Sequence, residues 1–370
     1  MDHKKNPHIC SECGGAFSDT ELMEFDGALL CPDCLESATI CCQDCGMRMW
    51  RDDNEGTEEH PLCERCRQDN YISCTRCGRL VYNRNACYID EDDDYGYCEN
   101  CYEIVKDRSI KNYSYKPEPI FFGDGPKYLG VELEIDGGTE DCDNADEILR
   151  IGNREDEHIY CKHDGSLNDG FEIVTHPMSL HYHLHHFPWA EVLEKAKSMG
   201  YASHQARTCG LHVHVSREAF GEDRDTQETT IARVLYFVEK HWNELLVFSR
   251  RTQQQLDRWA ARYGYKDQPQ EMMEHVKKGY GNRYTCINLT NADTIEFRIF
   301  RGTLKLNTLI ATLQMVGHIC DVAIALSDED LRKLSWSQFV SALSEPELVQ
   351  YLKERRLYVN RPVLESEVEV

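Results

Sequence analysis

Two sets of residues in this chain have the types and spacing to do chemistry. The first is a series of paired cysteines: Cys10-x-x-Cys13, Cys31-x-x-Cys34, Cys42-x-x-Cys45, Cys63-x-x-Cys66, Cys74-x-x-Cys77 and Cys98-x-x-Cys101. Two such knuckles can offer four thiolates to one tetrahedral zinc. The second set is ionisable and alternates with apolar residues. Glu132 and Glu134 lie among Leu129, Val131, Leu133 and Ile135; His212 and His214 among Leu211, Val213 and Val215; Glu296 and Arg298 among Ile295, Phe297 and Ile299. Glu172, between Phe171 and Ile173, follows the same rule more loosely. Glutamate and histidine are ligands for divalent cations, and arginine clamps phosphate or carboxylate.

The cysteines need elements that bring consecutive pairs together. The spacers between pairs are 17, 17 and 20 residues, Cys10, Cys42 and Cys74 recur every 32, and Gly14, Gly46 and Gly78 follow the leading pairs. This is an internal repeat, read as three small zinc-ribbon or LIM-like modules at about 8–36, 40–68 and 72–103. A unit of roughly 30 residues cannot bury enough surface to fold alone, whereas a structural zinc contributes on the order of 10 to 16 kcal/mol. Three structural zinc ions are therefore expected. Pairing of consecutive knuckles gives one metal per repeat; a cross-braced, RING-like pairing is the competing topology. Cys41 and Cys87 are left over and read as idle thiols. A closed zinc site has no open coordination position, so these modules are expected to bind or position a partner.

The second set needs strands. Alternation with period two places the aliphatic residues on one face of a sheet and the ionisable ones on the other. A merely solvated face would mix Thr, Ser, Lys and Gln; this one concentrates Glu, His and Arg. Behind it, residues 226–250 read as one amphipathic helix with a stripe including Ile231, Val234, Leu235, Val238 and Trp242, and 307–326 as a buried helix apolar nearly all round. Shorter helices are expected at 336–343 and 345–354. Residues 106–127, with three prolines and two glycines, read as a linker, 128–330 as the catalytic domain, and 331–370 as a helical extension with an acidic tail beyond Pro362.

Composition limits the partners. Lys and Arg number 41 against 65 Asp and Glu, a formal charge of -24, so the global field repels phosphate backbones and disfavours nucleic acid. Residues 1–115 alone carry 12 basic and 24 acidic residues. The run Glu91 to Asp94 reads as a solvated loop. No apolar run of about 18 to 20 residues is apparent, and no apolar core follows the first Met. A cytoplasmic address and no membrane partner are expected.

Four motifs, in order, resemble the amidoligase family: Tyr-Leu-Gly-Val-Glu-Leu-Glu-Ile from Tyr128; His-Asp-Gly-Ser-Leu from His163 with Phe-Glu-Ile-Val-Thr-His-Pro from Phe171; Cys-Gly-Leu-His-Val-His-Val-Ser from Cys209; and Thr-Ile-Glu-Phe-Arg-Ile-Phe-Arg-Gly-Thr from Thr294. That family is similar to glutamate-cysteine ligases and glutamine synthetase, and the resemblance covers about residues 126–326. It implies an α+β fold, a glutamine synthetase-like antiparallel half-barrel sheet backed by helices. It also implies an ATP-dependent amide ligase that joins a carboxylate to an amine through an acyl phosphate. Under that resemblance Glu132, Glu134, Glu172, His212 and Glu296 hold magnesium or manganese. His214 meets ATP phosphate, and Arg298 the transferring phosphoryl group or substrate carboxylate. Arg250, in a Ser-Arg pair the family tends to carry, and Arg283 and Arg301 are further phosphate or substrate contacts. The zinc modules would present a peptide or protein substrate. Alternatives are a zinc-finger adaptor with a degenerate ligase domain, and a zinc hydrolase built on His212 and His214. His176, and the cluster His181, His183, His185 and His186, depart from the family pattern; the cluster reads as an exposed loop or helix start ended by Pro188. Asp164 reads as a turn residue.

Overall fold

The computed structural model of the protein describes residues 8–18, 20–88, 96–106, 109–278 and 283–358. The acidic run at 91–94 and the tail beyond Pro362 lie outside them. The chain divides into two compact units, Met1–Asp107 and Arg108–Val370.

The first unit is built three times over. Each module pairs short antiparallel strands and ends in a seven-residue helix, Pro32–Ala38, Glu64–Asn70 or Glu99–Val105, entered directly from Cys31, Cys63 or Cys98. Gly14, Gly46 and Gly78 sit at φ of +71°, +71° and +70°, the left-handed turn that lets each knuckle fold back. The apolar cores are small: Leu30 in the first module, Met49 and Leu62 in the second, Val81, Tyr97 and Val105 in the third. The repeat extends to the joints between modules. Arg51 Nε donates to the Ser37 carbonyl at 2.8 Å, and 32 residues later Asn83 Nδ2 donates to the Asp69 carbonyl at 3.0 Å.

The second unit is α+β, an antiparallel sheet backed by helices, as expected. Its strands are β1 (Ile110–Lys111), β2 (Tyr128–Asp136), β3 (Ile159–Lys162), β4 (Gly170–Thr175), β5 (Met178–Ser179), β6 (Gly210–Ser216), β7 (Ile287–Asn288) and β8 (Thr294–Arg301). The order is β7-β8-β6-β2-β4-β3-β1, with β5 beside β2, and every pairing is antiparallel except β3 with β1. Leu129, Val131, Leu133 and Ile135 are fully buried, as are Leu211, Val213, Val215, Ile295 and Phe297. They pack on helices α1 (Cys142–Gly152), α2 (Leu180–His185), α3 (Trp189–Ser198), α4 (Arg224–Lys240), α5 (Trp242–Ser249) and α6 (Leu306–Ala325). Helix α6 is long and apolar enough to cross a membrane, contrary to the reading that no such run exists. It is nevertheless the core helix, with 72% of its most apolar stretch buried.

Three further expectations change. The helix expected over 226–250 is two, because the chain breaks at His241 (φ −105°, ψ 30°), whose ring packs on Phe237 and Trp336. Residues 110–111 form an edge strand and Phe122 is buried, so much of the 106–127 stretch is integral to the second unit. His181 and His185 on α2, and His186 just past its end, are exposed, but His183 faces inward and is 1% exposed. Its Nε2 donates to the Leu129 carbonyl at 2.9 Å, and its Nδ1 accepts from Trp189 Nε1 at 3.3 Å. His176 is likewise buried, its Nδ1 accepting from the Ile120 amide at 3.2 Å.

Candidate active site and metal centres

The register of the central strands assembles the ionisable set on one face. Glu134 on β2 lies opposite Glu172 on β4; Glu132 lies opposite His212 on β6; His214 lies opposite Glu296 on β8. Four strands thus bring six carboxylate and imidazole side chains together, with Glu134, Glu172, His212 and Glu296 buried. His212 stands at the centre. Its Nδ1 is 3.2 Å from Glu132 Oε2 and 3.7 Å from Glu296 Oε1, and its Nε2 is 3.7 Å from Glu134 Oε1. Two overlapping triads result, Glu132–His212–Glu296 and Glu134–Glu172–His212, each with ligand atoms within 4.8 Å of one another.

The surroundings hold these groups in place. Asn288 Nδ2 donates to Glu296 Oε2 at 2.8 Å, and Arg298 Nη1 pairs with Glu296 Oε1. The Gly210 amide donates to Glu134 Oε2. His214 Nε2 lies 3.1 Å from Glu132 Oε1 in an ion-pair arrangement whose angles make no hydrogen bond, while its Nδ1 is 3.1 Å from Thr294 Oγ1. The Arg298 Nε is buried without a hydrogen-bond partner among the described residues. A β-bulge between β6 and β8 does further work. Gly210 pairs with Arg301 and Leu211 with Phe300, yet Val213 pairs with Phe297, so β8 carries one extra residue. The extra residue puts Arg301 on the same face as Glu296 and Arg298, from which simple alternation would exclude it.

Charge is what makes the set unstable by itself. Burial pushes the Glu172 carboxyl well above the usual range, with the neighbouring Glu132 adding to it. Burial also raises Glu134 against the pull of His212. At Glu132 burial is outweighed by His214 and His212, and its carboxyl is held well below the ordinary value. His214 is raised, as Glu132 overcomes burial. Several carboxylates confined to one buried hollow call for cations, and this donor set of carboxylate oxygens with one imidazole fits a hard divalent ion.

The expected residues do not all converge. Arg298 and Arg301 share the face. Arg250 caps α5 in a left-handed conformation (φ 62°), and it is the next residue, Arg251, that adjoins the carboxylates. A Cβ built on Gly210 would lie 2.6 Å from Arg251 Nη2 and 2.8 Å from His212 Nε2, so the missing side chain is the space these two groups occupy. Burial lowers Arg251 to about 10, with Glu134 opposing. Sequence reading passed over Arg251 because two adjacent arginines at a helix end look alike; only the left-handed turn decides between them. Arg283 lies over the rings of Tyr113 and Tyr284, and Asp164 caps its own turn through Ser166 and Leu167. Lys162, opposite Glu172 across β3 and β4, was also missed; a buried lysine leaves no mark in the pattern.

In the first unit Cys10, Cys13, Cys31 and Cys34 form one cluster, Cys42, Cys45, Cys63 and Cys66 a second, and Cys74, Cys77, Cys98 and Cys101 a third. Consecutive knuckles pair, and the bridging sulfurs of Cys13 and Cys31, Cys45 and Cys63, and Cys77 and Cys98 are 4.0, 3.8 and 3.9 Å apart. Cys41 and Cys87 stand outside the clusters. Backbone amides, first that of Cys13, bring the Cys10 thiol down to about 6. At Cys42 and Cys74 the amides of Cys63 and Cys98 outweigh burial to the same effect. The last thiol of each cluster is pushed up, Cys34 chiefly by the Cys31 sulfur and Cys66 and Cys101 by burial. Four clustered thiols that cannot all ionise alone are the donor chemistry of a structural zinc.

Residues 152–317 match the model of the family described as "Putative amidoligase enzyme", which bears out the resemblance read from the motifs. The match spans a little under half of the chain, entirely within the second unit, and includes Glu172, His212, His214, Glu296 and Arg298 while starting after Glu132 and Glu134. Among solved structures, a bifunctional glutathione synthetase from Pasteurella multocida is similar at 14% identity and a TM-score of 0.35, over 62% of this chain and 46% of that one. The aligned part is thus about half the length of that protein, and a likeness this weak fixes neither fold nor activity. No curated protein matches the chain.

Proposed function

We propose that the second unit is an ATP-dependent carboxylate–amine ligase and that the first presents its substrate or a partner. The observation that carries the reading is the pair of overlapping Glu/His triads flanked by Arg298 and Arg251 on one sheet face, within a stretch that matches the amidoligase family. In this reading a carboxylate oxygen of the substrate attacks the γ-phosphorus of ATP and ADP leaves. The amine nitrogen then attacks the acyl carbon, phosphate departs, and the amine loses a proton.

Both steps gather negative charge on phosphoryl and acyl oxygens, and positive groups fixed in advance lower their barriers. Glu132, Glu134, Glu172, His212 and Glu296 would hold magnesium or manganese, which supplies charge neutralisation when bound. Arg298, oriented by Glu296, and Arg251, lodged against Gly210, would face the transferring group. His214, tied to Glu132 and Thr294, keeps the Glu132 carboxylate ionised and in place. The twelve clustered cysteines would hold three structural zinc ions, whose closed sites leave the first unit a binding role.

ATP hydrolysis with magnesium, assayed across pools of amino acids and peptides, tests the proposal. The wild type is expected to turn over ATP only with a matching carboxylate and amine. Glu132→Ala and Arg298→Ala are each expected to abolish turnover while three zinc ions stay bound. Unchanged activity in both variants would overturn the site, and turnover with zinc alone and no nucleotide would overturn the reaction.

A further inference from the structure

The two edges of the sheet meet over the ligand face. Tyr113 lies two residues beyond β1, at one edge, and Arg283 and Tyr284 lie just before β7, at the other. Yet the Arg283 guanidinium is 5.6 Å from the centre of the Tyr113 ring and 5.2 Å from that of Tyr284. The sheet therefore curls until segments flanking its outermost strands touch. Both tyrosines remain 37% exposed.

This aromatic pair is joined to the metal-ligand set on both flanks. The Arg298 guanidinium, bonded to Glu296, is 5.9 Å from the Tyr284 ring centre. The Lys162 ammonium, on the strand position opposite Glu172, is 5.5 Å from the Tyr113 ring centre. Three cations around two rings reject a cationic guest and favour a planar, electron-rich one that carries negative charge toward Arg298. The Arg283 guanidinium bridges the two rings, and its flat face can itself stack on an aromatic base.

We propose that Tyr113, Arg283 and Tyr284 form a stacking platform for the nucleobase of the nucleotide substrate, with the phosphates running past Arg298 and Lys162 to the Glu/His triads. This rests on the ligase reading above. Arg283 and Tyr284 lie inside the stretch matched by the family and Tyr113 outside it, so the platform is completed by an edge segment that the match does not cover.

Calorimetric titration of the full, zinc-loaded chain with ATP and, separately, with inorganic triphosphate, each with magnesium, tests it. The wild type is expected to bind ATP about tenfold or more tightly than triphosphate, the scale of one base stacked on an aromatic ring. Tyr113→Ala and Tyr284→Ala are each expected to weaken ATP about tenfold and to leave triphosphate within about twofold, while Tyr113→Phe keeps the wild-type affinity. Equal binding of the two ligands by the wild type would overturn the platform and leave the ligase reading standing. So would equal weakening of both ligands by the alanine variants, or a rise in amine KM with ATP binding unchanged. Failure of the wild type to bind either ligand would overturn both proposals.

Discussion

The two units reach a folded state by different means. The first has almost no apolar interior: among the described residues, Leu30, Met49 with Leu62, and Val81 with Tyr97 and Val105 are the buried side chains that join its cysteines in apolar clusters. The second has one continuous core that includes Trp189, Phe171, Phe237, Phe248 and Phe297. Where burial is scarce, bonds from the clustered thiols to a zinc ion would substitute for it, and stability would become a property of that ion. Where burial is plentiful, the sheet can carry Glu132, Glu134, Glu172, His212 and Glu296, buried or half-buried, and still hold together. A site of like charges can exist only on a scaffold whose stability comes from elsewhere.

The largest expected effect separates the two means. Cys98→Ser removes one thiolate from the third cluster, and a structural zinc is worth on the order of 10 kcal/mol. Zinc content should fall from three to two per chain, with the third module unfolded by amide exchange and the second unit protected as before. Loss of protection in the sheet strands would show that the division is wrong. Phe171→Ala is the complementary cut. Phe171, on β4, is fully buried, so its truncation should cost about 3 to 5 kcal/mol in denaturant unfolding of the second unit while all three zinc ions remain.

Proton linkage distinguishes the units next. Burial depresses His183 to about 4, and both ring nitrogens are committed in the neutral form. The unfolded chain therefore binds more protons than the folded one between the ordinary histidine value near 6.5 and about 4. The stability this histidine contributes is complete above that ordinary value and is lost as pH falls through the window, by up to about 3 kcal/mol. Urea midpoints of the second unit, read from tryptophan emission, should fall between pH 7 and 4.5 in the wild type and fall less in His183→Gln. An equal fall in both would remove His183 from the account.

How much of this was legible in the sequence follows the range of the interactions. The three cysteine modules could be read because every ligand lies within one repeat. The sharing of a face by Glu132, Glu134, His212, His214, Glu296 and Arg298 could be read because alternation is local. What could not be read depends on contacts far along the chain. The bulge that brings Arg301 onto the face arises from a mismatch between β6 and β8. The break at His241 coincides with a ring contact to Trp336, nearly a hundred residues away. The burial of His183 needs the Leu129 carbonyl as its partner, and the stretch around Tyr113 looked like a linker because two strand residues carry no periodicity.

Glycine gives the smallest and most local form of the same contrast. Gly46 follows a cysteine knuckle at φ +71°, and a Cβ there would meet nothing within 4 Å. Its constraint is purely conformational, so Gly46→Ala should cost about 1 to 2 kcal/mol, absorbed by the metal-bound fold with zinc stoichiometry intact. Gly210 has the opposite constraint: its backbone is ordinary strand, but a Cβ would collide with Arg251 Nη2 and His212 Nε2. The arginine can swing aside, whereas the imidazole is held among Glu132, Glu134 and Glu296. Gly210→Ala should therefore cost little in urea unfolding yet lower kcat at least about tenfold, because misplacement of a positioned group by a fraction of an ångström is expensive in rate. A variant that loses stability and keeps kcat would place Gly210 among the core residues and not at the site.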